Sequence, residues 1–241
     1  MQSRVDVIVA TGTPAYRALK QSTSTVPIVI TVTTDPIRDG FAASLARPGG
    51  NFTGLSTGLA GFNPKFFELL KIAVPKLSRV AVLSSSFNPA HPPQIKELEA
   101  AARKLGMRVL QVNASAPDEI ERGFAVMTRD HAEALIILGD AFFVQQIRQI
   151  AELALKHRLP SLYSAPEYAA SGGFMGYGQN IVDNFRSAAT FVDKILKGAK
   201  PGDLPFEQPT RFYLVINRKT AKALGIAIPQ ELLLRADKVI E

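Results

Sequence analysis

Small hydroxyl-bearing residues follow the first apolar run of the chain, and their types suit the binding of a carboxylate. Thr11, Gly12 and Thr13 stand directly before Pro14, a residue that favours the first turn of a helix. The open N–H groups of a helix start bind anions, so two hydroxyls beside them make a candidate carboxylate site. Threonine is also a common helix cap, and a plain cap is the alternative for these residues.

A carboxylate follows the second apolar run, in the string Thr33-Thr34-Asp35-Pro36. Asp35 can pair with the ammonium group of a ligand, and Thr33 can add a hydroxyl to the same site. Aspartate before proline also begins turns, so the capping of a turn is the alternative for Asp35.

Three later apolar runs end in the same way, with a polar residue that suits a small solute. Asn88 follows the run that ends near residue 83, Asp140 follows Leu138, and Glu167 and Tyr168 come shortly after Leu162. A carboxylate beside aromatic rings suits an ammonium-bearing or aromatic solute. The alternatives are that Asp140 caps the helix that follows it and that Tyr168 packs inward at a surface helix start.

The residue types needed for catalysis are poorly represented. The chain has no cysteine, and His91, His131 and His157 lack metal-ligand spacing, so we expect each of them at the surface or at a helix end. The serines at 84–86 lack the glycines of a nucleophile elbow, and the glycine-rich stretch 172–178 does not match G-x-G-x-x-G. We therefore predict no catalytic residue, no metal site and no cofactor.

The spacing of apolar residues predicts the elements that must position these side chains. Short β-rich runs alternate with amphipathic helical patterns, which is typical of βαβ units around a mostly parallel sheet. In open sheets of this kind, ligands bind beyond the carboxyl ends of the strands, where the polar residues stand. The predicted strands are 5–10, 26–32, 80–83, 108–112 and 134–138, and the helical patterns cover 14–22, 95–105, 120–127, 144–154 and 181–197.

Two lobes of unequal completeness are predicted, which gives an α/β fold of two doubly wound parallel-sheet lobes. The part before residue 75 offers only two or three strands, which is marginal for a sheet covered on both faces. We therefore expect the first lobe to lack at least one opening βα unit. The predicted domains are a partial first lobe over 1–75, a complete second lobe over 76–178, and a crossover helix with a C-terminal segment over 179–241.

Length and composition are those of an ordinary globular protein, with 241 residues of which 46% are hydrophobic and 20% charged. The net charge of +7 comes from Lys and Arg that are scattered through helical stretches, without the basic cluster typical of nucleic-acid binding. Nucleic acid is therefore not an expected partner.

No apolar run approaches the roughly 20 residues of a membrane-spanning helix, and the first residues as written carry no export signal.

Several strings of the sequence resemble one family of transport proteins. They are Val5 to Ala15, Asp35-Pro36, Ser44 to Leu55, Val215 to Gly225, and Leu232-Leu233-Leu234-Arg235-Ala236-Asp237. The likeness runs over essentially the whole chain, and the strings at 44–55 and 232–237 are the most specific. In these strings the chain resembles the ABC-transporter substrate-binding family that includes tryptophan- and tyrosine-binding members.

This resemblance implies a type I periplasmic binding protein fold, in which two lobes joined by three crossovers close on a solute. Such a site is formed by strand ends of both lobes. The implied ligand-binding residues are Thr11, Gly12, Thr13, Thr33 and Asp35 in the first lobe and Asn88, Asp140, Glu167 and Tyr168 in the second. For an amino acid, Thr11, Thr13 and nearby amides would bind the carboxylate, and Glu167 the ammonium group.

The resemblance also carries expectations about location and partners. The resemblance implies a longer chain in other members of the family. They would have an export signal and an opening strand, helix, strand and helix before the segment that begins here at Arg4. A periplasmic or exported location and a membrane permease as partner are therefore implied. The missing front would expose a parallel sheet edge, and such an edge favours pairing of two chains into a homodimer.

The sequence thus predicts the substrate-binding component of an ABC importer for a small solute, with an amino acid as the leading candidate and an aromatic one among the possibilities. One alternative is a ligand-sensing domain of a regulatory system on the same fold, which would need a fused DNA-binding or kinase module. An α/β enzyme is the other alternative, and it would need a phosphate loop or a catalytic cluster.

Overall fold

The computed structural model describes residues 5–57, 62–208 and 211–241 of the chain. It contains two compact units, one formed by Met1–Leu59 with Ile181–Arg211 and the other by Ala60–Asn180 with Phe212–Glu241. The chain therefore passes from one unit to the other three times. The sequence-based boundary at residue 75 assigned 62–73 to the first lobe, whereas the structure includes that segment in the second unit together with the C-terminal residues.

The elements follow the predicted alternation of strands and helices. The strands of the described residues are β1 (Ile8–Ala10), β2 (Ile28–Thr33), β3 (Phe52–Ser56), β4 (Arg79–Ser84), β5 (Arg108–Asn113), β6 (Ala134–Ile137), β7 (Ser161–Tyr163), β8 (Met175–Gly178), β9 (Tyr213–Asn217) and β10 (Lys238–Ile240). The helices are α1 (Thr13–Ser22), α2 (Phe62–Ala73), α3 (His91–Lys104), α4 (Pro117–Arg129), α5 (Ala141–Gln145), α6 (Ile147–Lys156), α7 (Glu167–Ala170), α8 (Ile181–Leu196), α9 (Arg218–Leu224) and α10 (Gln230–Arg235), with a short 3-10 helix at Pro201–Asp203. Within these described segments, no helix is long and apolar enough to span a membrane.

The first unit is built on a parallel sheet in the order β1-β2-β3. β2 has the sequence Ile-Val-Ile-Thr-Val-Thr and is buried along nearly its whole length, as expected for a strand covered on both faces. On one face Ile28 and Ile30 share a core cluster with Tyr16 of α1. On the other face Val29 packs with Phe191 of α8. These two layers fix β2, and with it the position of the polar residues that follow the strand.

The second unit carries a sheet in the order β10-β9-β8-β7-β6-β4-β5 within the part of the chain that the structure describes. All neighbouring strands are parallel except β8 and β9, which are antiparallel. After β4 the chain adds β5 on one side and then β6 on the other, so the winding reverses between β4 and β6. Open α/β sheets bind ligands at such a switch point, because the loops that leave the two strands diverge there.

The core beneath this switch point is apolar and closely packed. Val82 of β4 and Ile136 of β6 have none of their surface exposed, and they share a core cluster with Phe66 of α2 and Leu98 of α3. Because both strands are anchored in this core, the loops beyond their carboxyl ends begin from fixed positions. Side chains on those loops are therefore well placed to recognise a ligand.

Candidate functional site

Thr11, Gly12 and Thr13 lie where β1 ends and α1 begins, and they leave the start of the helix open. Gly12 is the residue before the helix and has a φ of 89°, a conformation that favours glycine. The helix has no side-chain cap, although Thr13 is itself buried, with 7% of its surface exposed. The plain cap that was the alternative for these threonines is absent, and the helix start keeps the open N–H groups that an anion requires.

Tyr16 connects this helix start to the end of β2. Its hydroxyl donates a 2.7 Å hydrogen bond to the Val32 carbonyl. Burial raises the pKa of Tyr16, so the hydroxyl keeps its proton at neutral pH. The sequence pattern did not identify Tyr16, because its role depends on contact with a strand 16 residues away.

Thr33 ends β2 with a buried hydroxyl. Only 4% of the residue is exposed, and within the described residues its Oγ1 has no hydrogen-bond partner. Buried hydroxyls are nearly always hydrogen-bonded, so an unbonded one at a strand end is a candidate ligand contact. The neighbouring ends of β1 and β2 therefore both present hydroxyl groups.

Asp35 closes the turn that follows β2. Its Oδ1 accepts hydrogen bonds from the N–H groups of Ile37 at 3.1 Å and Arg38 at 2.9 Å, so the turn-capping alternative is present in the structure. A second carboxylate, that of Asp39, lies close by, since the Asp39 backbone N–H donates a 3.0 Å hydrogen bond to the Asp35 carbonyl. Burial raises the pKa of Asp39 against the effect of Arg38, and the charge of Asp35 raises it further. Asp39 does not directly follow a strand, and for that reason the sequence pattern did not identify it.

Asn88 and Asp140 meet at the switch point of the second unit. The amide nitrogen of Asn88 donates a 2.8 Å hydrogen bond to Oδ2 of Asp140, and Asn88 is buried with 3% of its surface exposed. Oδ1 of Asp140 accepts the N–H of Phe142 at 2.8 Å and so caps α5. The capping alternative therefore holds for Asp140, and the same carboxylate also connects the loops after β4 and β6.

Glu167 and Asp140 follow the carboxyl ends of the neighbouring parallel strands β7 and β6, so they lie at the same edge of the sheet. Burial raises the pKa of Tyr163 at the end of β7, and the charges of Asp140 and Glu167 raise it further. The Tyr163 hydroxyl is 3.4 Å from the Asp140 carbonyl, which accepts its hydrogen bond. The ends of β6 and β7 thus bring two carboxylates to one edge of the sheet.

Glycines of β8 hold the loop that carries Glu167. A Cβ atom added to Gly178 would lie 2.1 Å from the Ser164 carbonyl oxygen, and one added to Gly176 would lie 2.3 Å from the Ala165 carbonyl oxygen. The backbone of this loop is therefore in direct contact with β8, at a distance that only glycine permits. This contact fixes the position of the start of α7.

Tyr168 and His91 are both buried side chains. Tyr168 is 1% exposed and its hydroxyl is 2.8 Å from the Ser161 hydroxyl, so it is a core residue, as the inward-packing alternative had it. We therefore leave Tyr168 out of the proposed ligand contacts. His91 was expected at the surface or at a helix end; it does begin α3, but none of its surface is exposed.

The groups gathered at these strand ends are hydroxyls, carboxylates and an amide. In the ranges 5–57, 62–208 and 211–241 no three His, Asp or Glu side chains are placed to hold a metal ion. The chemistry that the gathered groups offer is hydrogen bonding and charge pairing. Hydroxyls beside an open helix start, in the first unit, suit an anionic group, and the carboxylates of the second unit suit a cationic group.

The doubly wound units with polar strand ends define a binding protein of the type I periplasmic class. The chain belongs to the ABC transporter substrate binding protein family, whose model matches residues 1–240. The family resemblance of the sequence strings and the predicted α/β class with parallel-sheet lobes are thereby confirmed.

Individual relatives cover nearly all of this chain. A tyrosine-binding protein from Clostridioides difficile is 26% identical over 226 residues, which are 94% of this chain but only 65% of that protein. The ABC domain from Streptococcus pneumonia solved in complex with L-Trp is 29% identical, with a TM-score of 0.88, over 98% of this chain and 79% of that one. A conserved domain protein from Vibrio cholerae has a TM-score of 0.90 at 27% identity over the same shares. Both the family and the tyrosine-binding relative are named as binding proteins.

Proposed function

We propose that this protein is the substrate-binding component of an ABC importer and that its solute is an aromatic amino acid. The observation that carries the proposal is that Asp140 and Glu167 follow the carboxyl ends of the neighbouring parallel strands β6 and β7, because two carboxylates at one edge of a sheet suit an ammonium group. Similarity to a tyrosine-binding protein and to a domain solved with L-Trp supports an amino acid as the solute.

The first unit supplies groups that suit the carboxylate of an amino acid. The start of α1 has open N–H groups beside Gly12, and the hydroxyls of Thr11, Thr13 and Thr33 are the polar side chains at this edge. Carboxylates are stabilised at helix N-termini by these N–H groups and by the helix dipole. We assign the solute's carboxylate to these groups.

The second unit supplies the groups that suit the ammonium end. Glu167 is the direct partner in this proposal, and Asp140 adds a second negative charge at the same edge of the sheet. Asn88 does not contact the solute in this proposal, because its amide nitrogen bonds Asp140 and its side-chain oxygen accepts the Ala90 N–H at 3.1 Å. Its role is to hold Asp140 in position. Asp35 of the first unit is a further candidate for the cationic end.

The proposed partner is a membrane permease that receives the solute, and the proposed location is the periplasm or the outer cell surface. The family model supports both, since its description names ABC transporters. In a transport role, the solute stabilises the ligand-bound conformation of the binding protein, and the permease recognises that conformation.

A thermal-shift screen tests the proposal. The purified protein is heated with each proteinogenic amino acid and, as a counter-panel, with glucose, ribose and myo-inositol. A ligand present at 100 times its Kd raises the free energy of unfolding by about 2.7 kcal/mol, which produces a clear rise in Tm. We expect that rise with L-Trp, L-Tyr or L-Phe. A response to the sugars alone, or to no compound of either panel, would contradict the proposal.

A further inference from the structure

His91 connects the two loops that meet at the switch point of the second unit. Its Nδ1 is 2.8 Å from the Ser85 backbone nitrogen, in the loop after β4, and its Nε2 is 3.1 Å from the Gly139 carbonyl oxygen, in the loop after β6. The ring also stacks on Phe143 of α5, with centroids 6.5 Å apart and an angle of 9° between the planes. A single buried side chain therefore bonds both strand ends.

These contacts determine the protonation state of the ring. The Ser85 N–H can only donate, so Nδ1 must be the unprotonated acceptor, and the Gly139 carbonyl can only accept, so Nε2 must carry the hydrogen. The neutral Nε2–H tautomer satisfies both bonds. A protonated ring would present an N–H group to the Ser85 N–H and lose that bond.

The two loops that His91 joins are those that carry Asn88 and Asp140. The backbone N–H of His91 donates a 3.0 Å hydrogen bond to the Asn88 carbonyl, and Gly139 directly precedes Asp140 in the chain. A change in the ring therefore acts on both members of the Asn88–Asp140 pair. It does so without touching the solute that we assign to this edge.

We propose that His91 is a positioning residue of the ligand site and that only its neutral form holds the Asn88–Asp140 pair in place, so that solute affinity falls in acid. The inference rests on the proposed function. It adds a means of regulation at the same site, because a solute held at neutral pH would be released more readily from an acidified protein.

The electrostatic surroundings of the ring favour the neutral form. Burial lowers the pKa of His91, and the Gly139 carbonyl and the Asp140 carboxylate oppose that effect. Among the described residues, Asp140 is the charged group that acts on the ring; its other polar contacts are the backbone groups of Ser85 and Gly139. The affinity for the solute is therefore expected to decrease at pH values below the range in which histidines ordinarily titrate.

The test is the Kd of L-Trp measured by calorimetry from pH 5 to pH 8 for the wild type, His91→Gln and His91→Phe. Glutamine keeps an amide that can accept or donate one of the two bonds but does not titrate. Phenylalanine keeps the ring and removes both bonds. His157→Gln is the matched control, because His157 lies elsewhere in the same unit, against Thr128.

We expect the wild type and His157→Gln to bind about tenfold more weakly at pH 5 than at pH 7.5, and His91→Gln to show a smaller pH dependence. His91→Phe should bind at least about tenfold more weakly than the wild type at pH 7.5, through the loss of both bonds. The pH profile of His91→Gln separates positioning from a merely structural role, and circular dichroism verifies that each variant is folded.

If His91→Gln binds L-Trp with the affinity and the pH profile of the wild type, the positioning role is overturned and the proposed function stays intact. No binding of any aromatic amino acid by the wild type at pH 7.5 would overturn both. Independently of any ligand, the ring-nitrogen NMR shifts of His91 must show the Nε2–H tautomer at pH 7.5, and the opposite tautomer would also overturn the proposal.

Discussion

The side-chain nitrogen of Asn88 lies 2.8 Å from Oδ2 of Asp140, although 52 residues separate the two in sequence. The bond joins the loop after β4 to the loop after β6, at the point where the winding of the sheet reverses. The switch point is thus closed by a charged hydrogen bond, which is stronger than a bond between neutral groups.

Asn88→Ala is expected to lower the free energy of unfolding by about 1 kcal/mol, because it removes a hydrogen bond to the partly buried carboxylate of Asp140. Urea unfolding followed by circular dichroism measures the change. Gln145→Ala, an exposed substitution at the end of α5, is the control and should have little effect. Equal stability of Asn88→Ala and Gln145→Ala would show that the bond contributes nothing.

Gly178→Ala is expected to displace the loop that carries Glu167. The new Cβ would lie 2.1 Å from the Ser164 carbonyl oxygen, so one backbone must move, at a cost of about 1–3 kcal/mol. The solute affinity should fall together with the stability. Gly50→Ala is the matched control, because a Cβ there meets nothing within 4 Å. Wild-type affinity in Gly178→Ala would mean that the loop position does not matter for binding.

Gly12→Ala is expected to strain the start of α1, since Gly12 has a φ of 89° and a ψ of 134°, a backbone conformation that costs other residues about 1–3 kcal/mol. Gly106 has a φ of 71° with open space around it, so Gly106→Ala introduces a similar strain away from the site. Both variants should lose stability in thermal unfolding. Only Gly12→Ala should also lose solute affinity, and an equal loss in both would refute the carboxylate assignment.

Buried His91 makes the stability of the protein depend on pH. Burial lowers the pKa of His91 below the 6.5 of the unfolded chain, so its full contribution is present above about pH 6.5. As the pH falls from there toward the folded-state pKa, the unfolded chain binds the proton first and the free energy of unfolding decreases, by at most about 1.4 kcal/mol per pH unit. Denaturant unfolding at pH 7.5, 6.5 and 5.5 should show a steeper loss for the wild type than for His91→Gln. Parallel curves would mean that the ring titrates normally.

The strands and their polar ends were predictable from the sequence because they depend on local pattern. β2, β4 and β6 are short apolar runs, and each is followed within a few residues by a polar side chain that the structure places at the strand's carboxyl end. The single helix predicted from the apolar pattern over 144–154 agrees less well with the structure. It is divided into α5 and α6 at Gln146, where the backbone has a ψ of 13°.

The contacts that organise the site were not predictable, because they join distant parts of the chain. His91 stands between prolines in a stretch that reads as a surface helix start, and its burial results from contact with Gly139, 48 residues later. Tyr168 packs beneath Gly173, where any side chain would overlap its ring. The membership of α2 in the second unit likewise follows from its packing with α3.

Calorimetry with modified tryptophans tests the central claim most directly, since each compound lacks one charged end of the amino acid. L-Trp is titrated into the wild type and into Glu167→Gln, and tryptophan amide and N-acetyltryptophan are titrated into the wild type, with the exposed Glu121→Gln as control. We predict that removing either charge of the ligand, or the charge of Glu167, weakens binding by about tenfold or more. Equal affinity of N-acetyltryptophan and L-Trp for the wild type, or of Glu167→Gln and the wild type for L-Trp, would contradict the account.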